Sequence, residues 1–304
     1  MSLLVTGTIG IDTVHTPHAK AEGVLGGSCA YFAAAASVQT PVRVVAAVGG
    51  DWPAAHRALL EGFPRICLQG LEHRPSSRTF AWGGRYLENM NERETLFTEL
   101  GVLEEAGPRV PQAYSDSRFI FLANSHPVEQ ARLLAHFPKR RLAVMDTMDL
   151  WINIAHPELL ALMKQVDGIV VNDAEAALLT GVRNAISAGR RILDLGPRFV
   201  IIKKGEHGCV LVHREGVATL PAYPAESHHV IDPTGAGDSF AGGMMAHLAG
   251  NDRTDLPSLQ QAIGWGTVTA SFTLESFSLD RLARLTSAEL EERMESFRRA
   301  ARVG

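Results

Sequence analysis

Six short apolar runs, at residues 3–5, 42–48, 119–122, 142–145, 168–171 and 199–202, recur along the chain with helical stretches between most of them. They are near-continuous rather than alternating, so each reads as a strand buried on both faces of a sheet. Such strands need helices over both faces, joined by right-handed crossovers. The pattern predicts an α/β fold: a mostly parallel sheet sandwiched by helices. At 46% hydrophobic and 20% charged residues a sizeable core is expected. No repeat, linker or low-complexity tract divides residues 1–304, which read as a single domain.

Residues 77–100 break the rhythm. Polar and apolar residues alternate on either side of Gly83-Gly84, and 95–100 offers another short strand. This is a hairpin pattern. Antiparallel strands inserted into a parallel protein pack away from the main sheet, so a small accessory β-sheet is expected here.

The chemistry concentrates at residues 230–250. Two apolar residues lead into Asp232-Pro233, then Thr234-Gly235-Ala236-Gly237-Asp238, then Phe240, Met244 and Leu248 at helical spacing. Gly250 and Asn251 end the pattern. A helix opened by small residues points its first N–H groups at one spot, where the helix dipole adds positive potential. Asp238 stands in that first turn. A carboxylate base beside an anion hole is what phosphoryl transfer to a hydroxyl requires. By itself the stretch also reads as a turn followed by a dipole-complementing acid. The chain contains no Gly-x-x-x-x-Gly-Lys-Ser/Thr loop and no Gly-x-Gly-x-x-Gly after a strand, so a nucleotide site of another design is the better expectation.

Residues 232–245 resemble the second signature of the ribokinase-like (PfkB) family of sugar and nucleoside kinases. Gly26-Gly27-Ser28-Cys29-Ala30-Tyr31-Phe32-Ala33 resembles the first, with Tyr31 where the family usually has Asn. Asn172-Asp173-Ala174-Glu175 is similar to the family's Asn-x-x-Glu motif, and Lys203-Lys204-Gly205-Glu206-His207-Gly208 to its nucleotide-edge turn. The resemblance spans roughly residues 12–272.

It implies a ribokinase-like fold in which 77–100 forms a β-sheet lid over the sugar site, sometimes paired with a second subunit's lid in a homodimer. It implies an ATP-dependent phosphotransferase moving the γ-phosphate to a hydroxyl of a small sugar or sugar-like substrate. A nucleoside kinase of the adenosine type is the alternative, and a catalytically idle sugar or nucleotide sensor is a third reading. Asp238 takes the role of general base, with the N–H groups of Gly235, Ala236 and Gly237 stabilising charge on the phosphoryl group. Asp12, Gly26, Gly27 and Tyr31 place the acceptor. Asn172, Lys204, Gly205, Gly208 and Thr234 face the nucleotide. Glu175 and Asn172 hold Mg²⁺ through water, and Asp232 contributes to a monovalent cation such as K⁺. The residue chemistry agrees with these roles. Two carboxylate oxygens suit adjacent sugar hydroxyls, and Mg²⁺ takes oxygen ligands while keeping several waters.

Read without the family, Asp12 is a turn residue just beyond a strand end, Tyr31 a core aromatic, and Asn172 with Glu175 a helix cap. Asp51 reads as a cap for the helix near Pro53. Asn124 and Asp146 end strands on the ligand edge of the sheet, where a capping role comes first and a site role second. In the lid, Arg85, Tyr86 and Asn91 are contact residues by position alone, and Trp82 is lid core or dimer interface.

Formal net charge is −4 with acids and bases mixed, and no basic stripe suggests nucleic acid. Cys29, Cys67 and Cys209 form neither a metal spacing nor a disulfide framework, which suits a reducing cytosol. The first residues lack a signal-peptide pattern, and the longest apolar run, 29–36, is too short to span a bilayer. A cytoplasmic enzyme acting on a small molecule is expected. His228 and His229 read as solvated loop residues.

Overall fold

The structure, a computed structural model, describes residues 2–225 and 230–301; His228 and His229 lie outside the described residues. The strands, in chain order, are β1 (Leu3–Thr6), β2 (Gly10–His15), β3 (Lys20–Gly26), β4 (Val42–Gly49), β5 (Ile66–Arg74), β6 (Phe80–Tyr86), β7 (Arg93–Glu99), β8 (Phe119–Leu122), β9 (Leu142–Asp146), β10 (Gly168–Asn172), β11 (Phe199–Lys203), β12 (Cys209–His213) and β13 (Gly216–Leu220). Nine form the main sheet, in the order β13-β12-β11-β10-β9-β8-β1-β4-β5. All six apolar runs lie in it, and their side chains are almost completely buried, as strands covered on both faces must be.

Pairing is parallel from β5 through β11 and antiparallel from β11 to β12 and β12 to β13. The switch has a local cause. The turn after β11 is too short for a crossover, so the chain doubles back through Gly205 (φ 53°) and Gly208 (φ 80°). The sequence direction reverses between β1 and β8, and the carboxyl ends of strands beside such a reversal form a ready-made crevice.

Three helices fix the back of that crevice. Ser28–Ser37 is wholly buried and packs on Ala236–Asn251, which in turn packs on Leu256–Thr273. Their glycines set the spacing: a Cβ at Gly242 would stand 2.5 Å from the Phe32 carbonyl, and one at Gly243 would stand 2.3 Å from Thr269 Oγ1. Helices this close leave the start of Ala236–Asn251 little freedom to shift.

The lid is larger than the sequence suggests. Its four strands run β3-β2-β6-β7, so only half of it comes from 77–100. Asp12 therefore lies within β2, not in a loop beyond a strand end. β2 alternates buried and part-exposed residues, but the buried set includes a carboxylate, which hides the strand pattern in sequence. Gly83 and Gly84 are likewise not a hairpin turn. β6 runs straight through them, and the chain reverses after Tyr86, at residues 87–92. They are small because rings cover them: a Cβ at Gly83 would stand 2.3 Å from the Phe97 ring, and one at Gly84 2.1 Å from Trp82 Cη2. Among the described residues, no helix is long and apolar enough to cross a membrane.

Candidate active site

The helix Ala236–Asn251 opens from Gly235 in the left-handed conformation (φ 74°, ψ 0°). No other residue fits, because a Cβ there would stand 2.2 Å from Tyr31 Cγ. Asp232 shapes the approach, its Oδ1 accepting the Thr234 N–H at 2.8 Å. Ala236 donates its N–H back to the Pro233 carbonyl at 3.2 Å. The N–H groups of Gly235 and Gly237 find no acceptor among the described residues, as expected where a helix begins. Asp238 follows in the first turn. Burial pushes its carboxyl up to about 6, against the pull of Lys203 and Arg93, while Glu175 pushes the same way as burial.

Lys203 ends β11 in register with Asn172, which ends β10. Its Nζ lies 2.6 Å from where a Cβ on Gly237 would stand. The same ammonium faces Asp146 and Glu175, both raised to about 7 by burial and pulled back by Lys203. Of the Lys203-Lys204 pair, Lys203 is thus the one against the turn around Gly235 and Gly237. The Lys204 N–H closes the nucleotide-edge turn on the Gly208 carbonyl at 2.8 Å. Gly208 is held there by packing, since a Cβ would stand 2.0 Å from the Leu220 carbonyl.

Asn172 and Glu175 form a reciprocal capping box: Asn172 Oδ1 accepts the Glu175 N–H at 2.7 Å, and Glu175 Oε2 accepts the Asn172 N–H at 2.8 Å. The cap reading is therefore correct as geometry, and it delivers Glu175 to Lys203 besides. Asp146 and Asn124 do not cap: the helix Asp149–Ile154 has Met148 at its N-cap, and Asn124 Oδ1 accepts from Trp151 Nε1 at 2.9 Å. Asp51 does not cap either. It accepts the Thr79 N–H at 2.7 Å, and Pro53 holds the N-cap position.

Asp12, Gly26, Gly27 and Tyr31 lie where the lid meets the helix Ser28–Ser37. Asp12 is 3% exposed, and its Oδ1 has no partner among the described residues. Burial and the neighbouring Asp232 raise its carboxyl to about 7, with the Gly27 N–H pulling the other way. Gly26 must lack a side chain, because a Cβ would stand 1.9 Å from Asp12 Oδ2. Gly27 (φ 93°) backs onto the Thr8 carbonyl. Tyr31 is 1% exposed and lies beneath the Gly235 turn, with its hydroxyl unpartnered among the described residues. Burial, then Asp232 and Asp12, holds that hydroxyl protonated.

The lid is closed on this ensemble. The Thr234 hydroxyl donates to the Tyr86 hydroxyl at 3.3 Å, and Asn91 Nδ2 donates to Glu206 Oε1 at 3.2 Å. One contact ties the lid to the turn before the helix Ala236–Asn251, the other to the turn after β11. Arg93, on β7, brings its positive charge to Asp238 and Glu175. The nucleotide-edge motif offers Lys203 and Lys204 together without separating them, and nothing in it points to Arg93; a strand-terminal Lys beside a strand-terminal Asn is the signal that separates the two lysines.

Cations would find oxygen donors here. Asp232 Oδ2 is buried and unpartnered among the described residues, as a bound monovalent cation or proton would require. Glu175 with Asp146 and Asp238 offers carboxylates around one lysine. No group of three or more metal-ligating side chains occurs among the described residues. Mg²⁺ fits nonetheless, since it is held by one or two carboxylates together with water and phosphate oxygens.

The sequence profile of the pfkB family carbohydrate kinases matches residues 124–282. The chain is 29% identical over 251 residues to the cytidine kinase of Thermococcus kodakarensis, covering 81% of this chain and 88% of that protein. Its fold is similar to the nucleoside kinase of Methanocaldococcus jannaschii, an archaeal member of the ribokinase family (TM-score 0.76, 20% identity, 97% of this chain and 98% of that one). It is also similar to a putative ribokinase II from E. coli in complex with ATP and Mg²⁺ (TM-score 0.76, 15% identity, 97% and 99% covered). A family profile matched over more than half the chain agrees with the helix-start turn, capping box and closed lid: the chain belongs to the PfkB family of carbohydrate kinases.

Proposed function

We propose that this chain transfers the γ-phosphate of ATP to a hydroxyl of a small sugar or sugar-like acceptor, with Asp238 as general base. The observation that carries this is the placing of Asp238 in the first turn of a helix start where the Gly235 and Gly237 N–H groups are unclaimed, with Asp12 and its unpartnered buried oxygen near enough for the two carboxyls to influence each other. The acceptor oxygen forms a bond to phosphorus as the bond from phosphorus to ADP breaks. The hydroxyl proton goes to Asp238. The N–H groups of Gly235 and Gly237, with Lys203, stabilise negative charge on the transferring group. Asp12, seated against Gly26 and Gly27, holds the acceptor with the Tyr31 hydroxyl. Mg²⁺ entering with ATP supplies charge neutralisation, and Glu175 and Asn172 would orient its waters. Asp232 Oδ2 would take a monovalent cation such as K⁺. Thr234, Lys204, Gly205 and Gly208 line the nucleotide edge.

The second reading is a nucleoside acceptor, favoured by the similarity to a cytidine kinase along most of the chain. An idle sensor is disfavoured because it has no need of a base at position 238. Association through the lid belongs to the same proposal, supported by Leu96 and Phe97 exposed on β7; light scattering would measure it.

ADP release measured over a panel of sugars and nucleosides, with wild type beside Asp238→Asn, tests the reaction. Acceptor-dependent turnover in wild type, lost in the variant, is expected. Equal turnover in both would remove Asp238 from the mechanism.

A further inference from the structure

We propose that Trp82 is a stacking surface for a planar ring carried by the acceptor, which makes the acceptor a nucleoside-type molecule: a hydroxylated sugar bearing an aromatic base. This rests on the phosphotransfer reading above and adds to it the residue that selects the substrate.

Strand alternation sets the face. Tyr86 reaches Thr234 on the catalytic turn, and Trp82 and Gly84 share its side of β6. Pairing of β6 with β2 is unbroken from Gly10↔Phe80 to His15↔Arg85, so no bulge turns Trp82 away. The irregularity between β6 and β7 falls on β7, where Leu96 is the extra residue.

Register then sets the neighbour. Trp82 pairs with Asp12 in the parallel ladder. Paired residues of adjacent strands stand about 4.8 Å apart and point the same way. A carboxylate with an unpartnered oxygen and an indole thus sit side by side over the same acceptor, one suited to sugar hydroxyls and the other to a flat ring.

Local shape sets the orientation. The six-membered ring of the indole lies over Gly84, with Cη2 and Cζ2 2.1 and 2.5 Å from where a Cβ would stand. Any side chain at 84 would force the indole off the strand. Trp82 keeps a partly exposed surface, and the Arg93 guanidinium lies 5.6 Å from its ring centre, a second group that stacks on flat π systems.

Charge argues for the same acceptor. The other cations on the lid's strands, His15, Lys20 and Arg85, are register neighbours on the opposite face, where His15 and Arg85 lie beside Glu22 and Glu94. Beside Asp12 the inner face therefore presents an aromatic surface, not the basic cluster that a phosphorylated sugar would need.

The test is steady-state kinetics of wild type, Trp82→Ala and Trp82→Phe with cytidine, uridine, adenosine and guanosine against ribose and fructose. We expect a nucleoside to be the best acceptor. Trp82→Ala should raise its KM by about tenfold to a hundredfold, the usual loss when a base loses an aromatic partner. kcat, the KM for ATP and the KM for ribose should change little, and Trp82→Phe should recover most of the loss. Unchanged ATP KM and thermal melting certify that the variants fold. A sugar preferred over every nucleoside, or a nucleoside KM unmoved in Trp82→Ala, overturns the stacking role and leaves the phosphotransfer reading standing. Full turnover by Asp238→Asn overturns the phosphotransfer reading instead. Nucleoside quenching of tryptophan fluorescence, present in wild type and absent in Trp82→Phe, tests stacking apart from turnover; no quenching in wild type overturns it.

Discussion

The ammonium of Lys203 occupies the space that a side chain on residue 237 would fill, 2.6 Å from the missing Cβ of Gly237. The glycine therefore does more than free a backbone N–H: it lets a strand-end lysine reach the helix start. Lys203→Met should lower kcat/KM for ATP by about tenfold to a hundredfold, the scale of one lost hydrogen bond to a charged group. Because Lys203 pulls the Asp238, Asp146 and Glu175 carboxyls down, its removal should also move the acidic limb of the pH–rate profile upward. Lys204→Ala should do neither. Initial-rate measurements across pH distinguish the two lysines.

Asp238→Asn should cut kcat by about 10²–10⁴-fold, the usual contribution of a general base. Its melting temperature should stay level or rise, since a carboxylate leaves a crowded acidic site. A variant that lost activity through unfolding would melt early and would no longer bind an ATP analogue.

Gly26→Ala should behave like a lesion in Asp12, although residue 26 carries no functional group. Its Cβ would stand 1.9 Å from Asp12 Oδ2, so the carboxylate must turn away from the acceptor. The acceptor KM should rise at least about tenfold, comparable to losing one good hydrogen bond to a charged group, with the ATP KM unchanged. Asp12→Asn provides the comparison.

Protonation couples the site to stability. Asp238, raised to about 6, must be ionised to act as a base, so kcat/KM should fall as pH drops through that value. Asp146 gives the thermodynamic counterpart. Its folded carboxyl is raised from 3.8 to about 7 by burial, so between those values it holds a proton that the unfolded chain has lost; its destabilising effect grows across that window and is complete above it. Asp146→Asn should therefore raise the melting temperature more at about pH 8 than at about pH 5. Comparing variant with wild type cancels the histidines His56, His213 and His247, whose lowered values act with the opposite sign.

Motif and rhythm made the helix start at Gly235 and the Asn172–Glu175 cap readable, and the surroundings of Asp12 only in part. The apolar strands, the 232–250 turn and helix, and the Asn172–Glu175 cap are local patterns, each held within one short segment. β2 was hidden because its buried face carries Asp12, and a polar residue on a buried face erases the alternation that marks a strand. Gly83 and Gly84 mimicked a turn because sequence cannot tell a glycine needed for positive φ from one that clears space for a ring, Phe97 over Gly83 and Trp82 over Gly84. Lys203 and Arg93 came from strands distant in sequence, and only tertiary pairing sets them beside Asp238.

The glycines at 26, 27 and 235 each lie where a Cβ would strike a group that builds the site or its supporting backbone. Drift in this enzyme is therefore confined. Substitutions in those turns disturb the groups that build the site, whereas a change at Trp82, on the inner face of β6, leaves the turn around Gly235 and Gly237 in place. If the lineage acquires a new acceptor, the first steps should be written in the lid, and laboratory selection for altered substrates has its shortest path there.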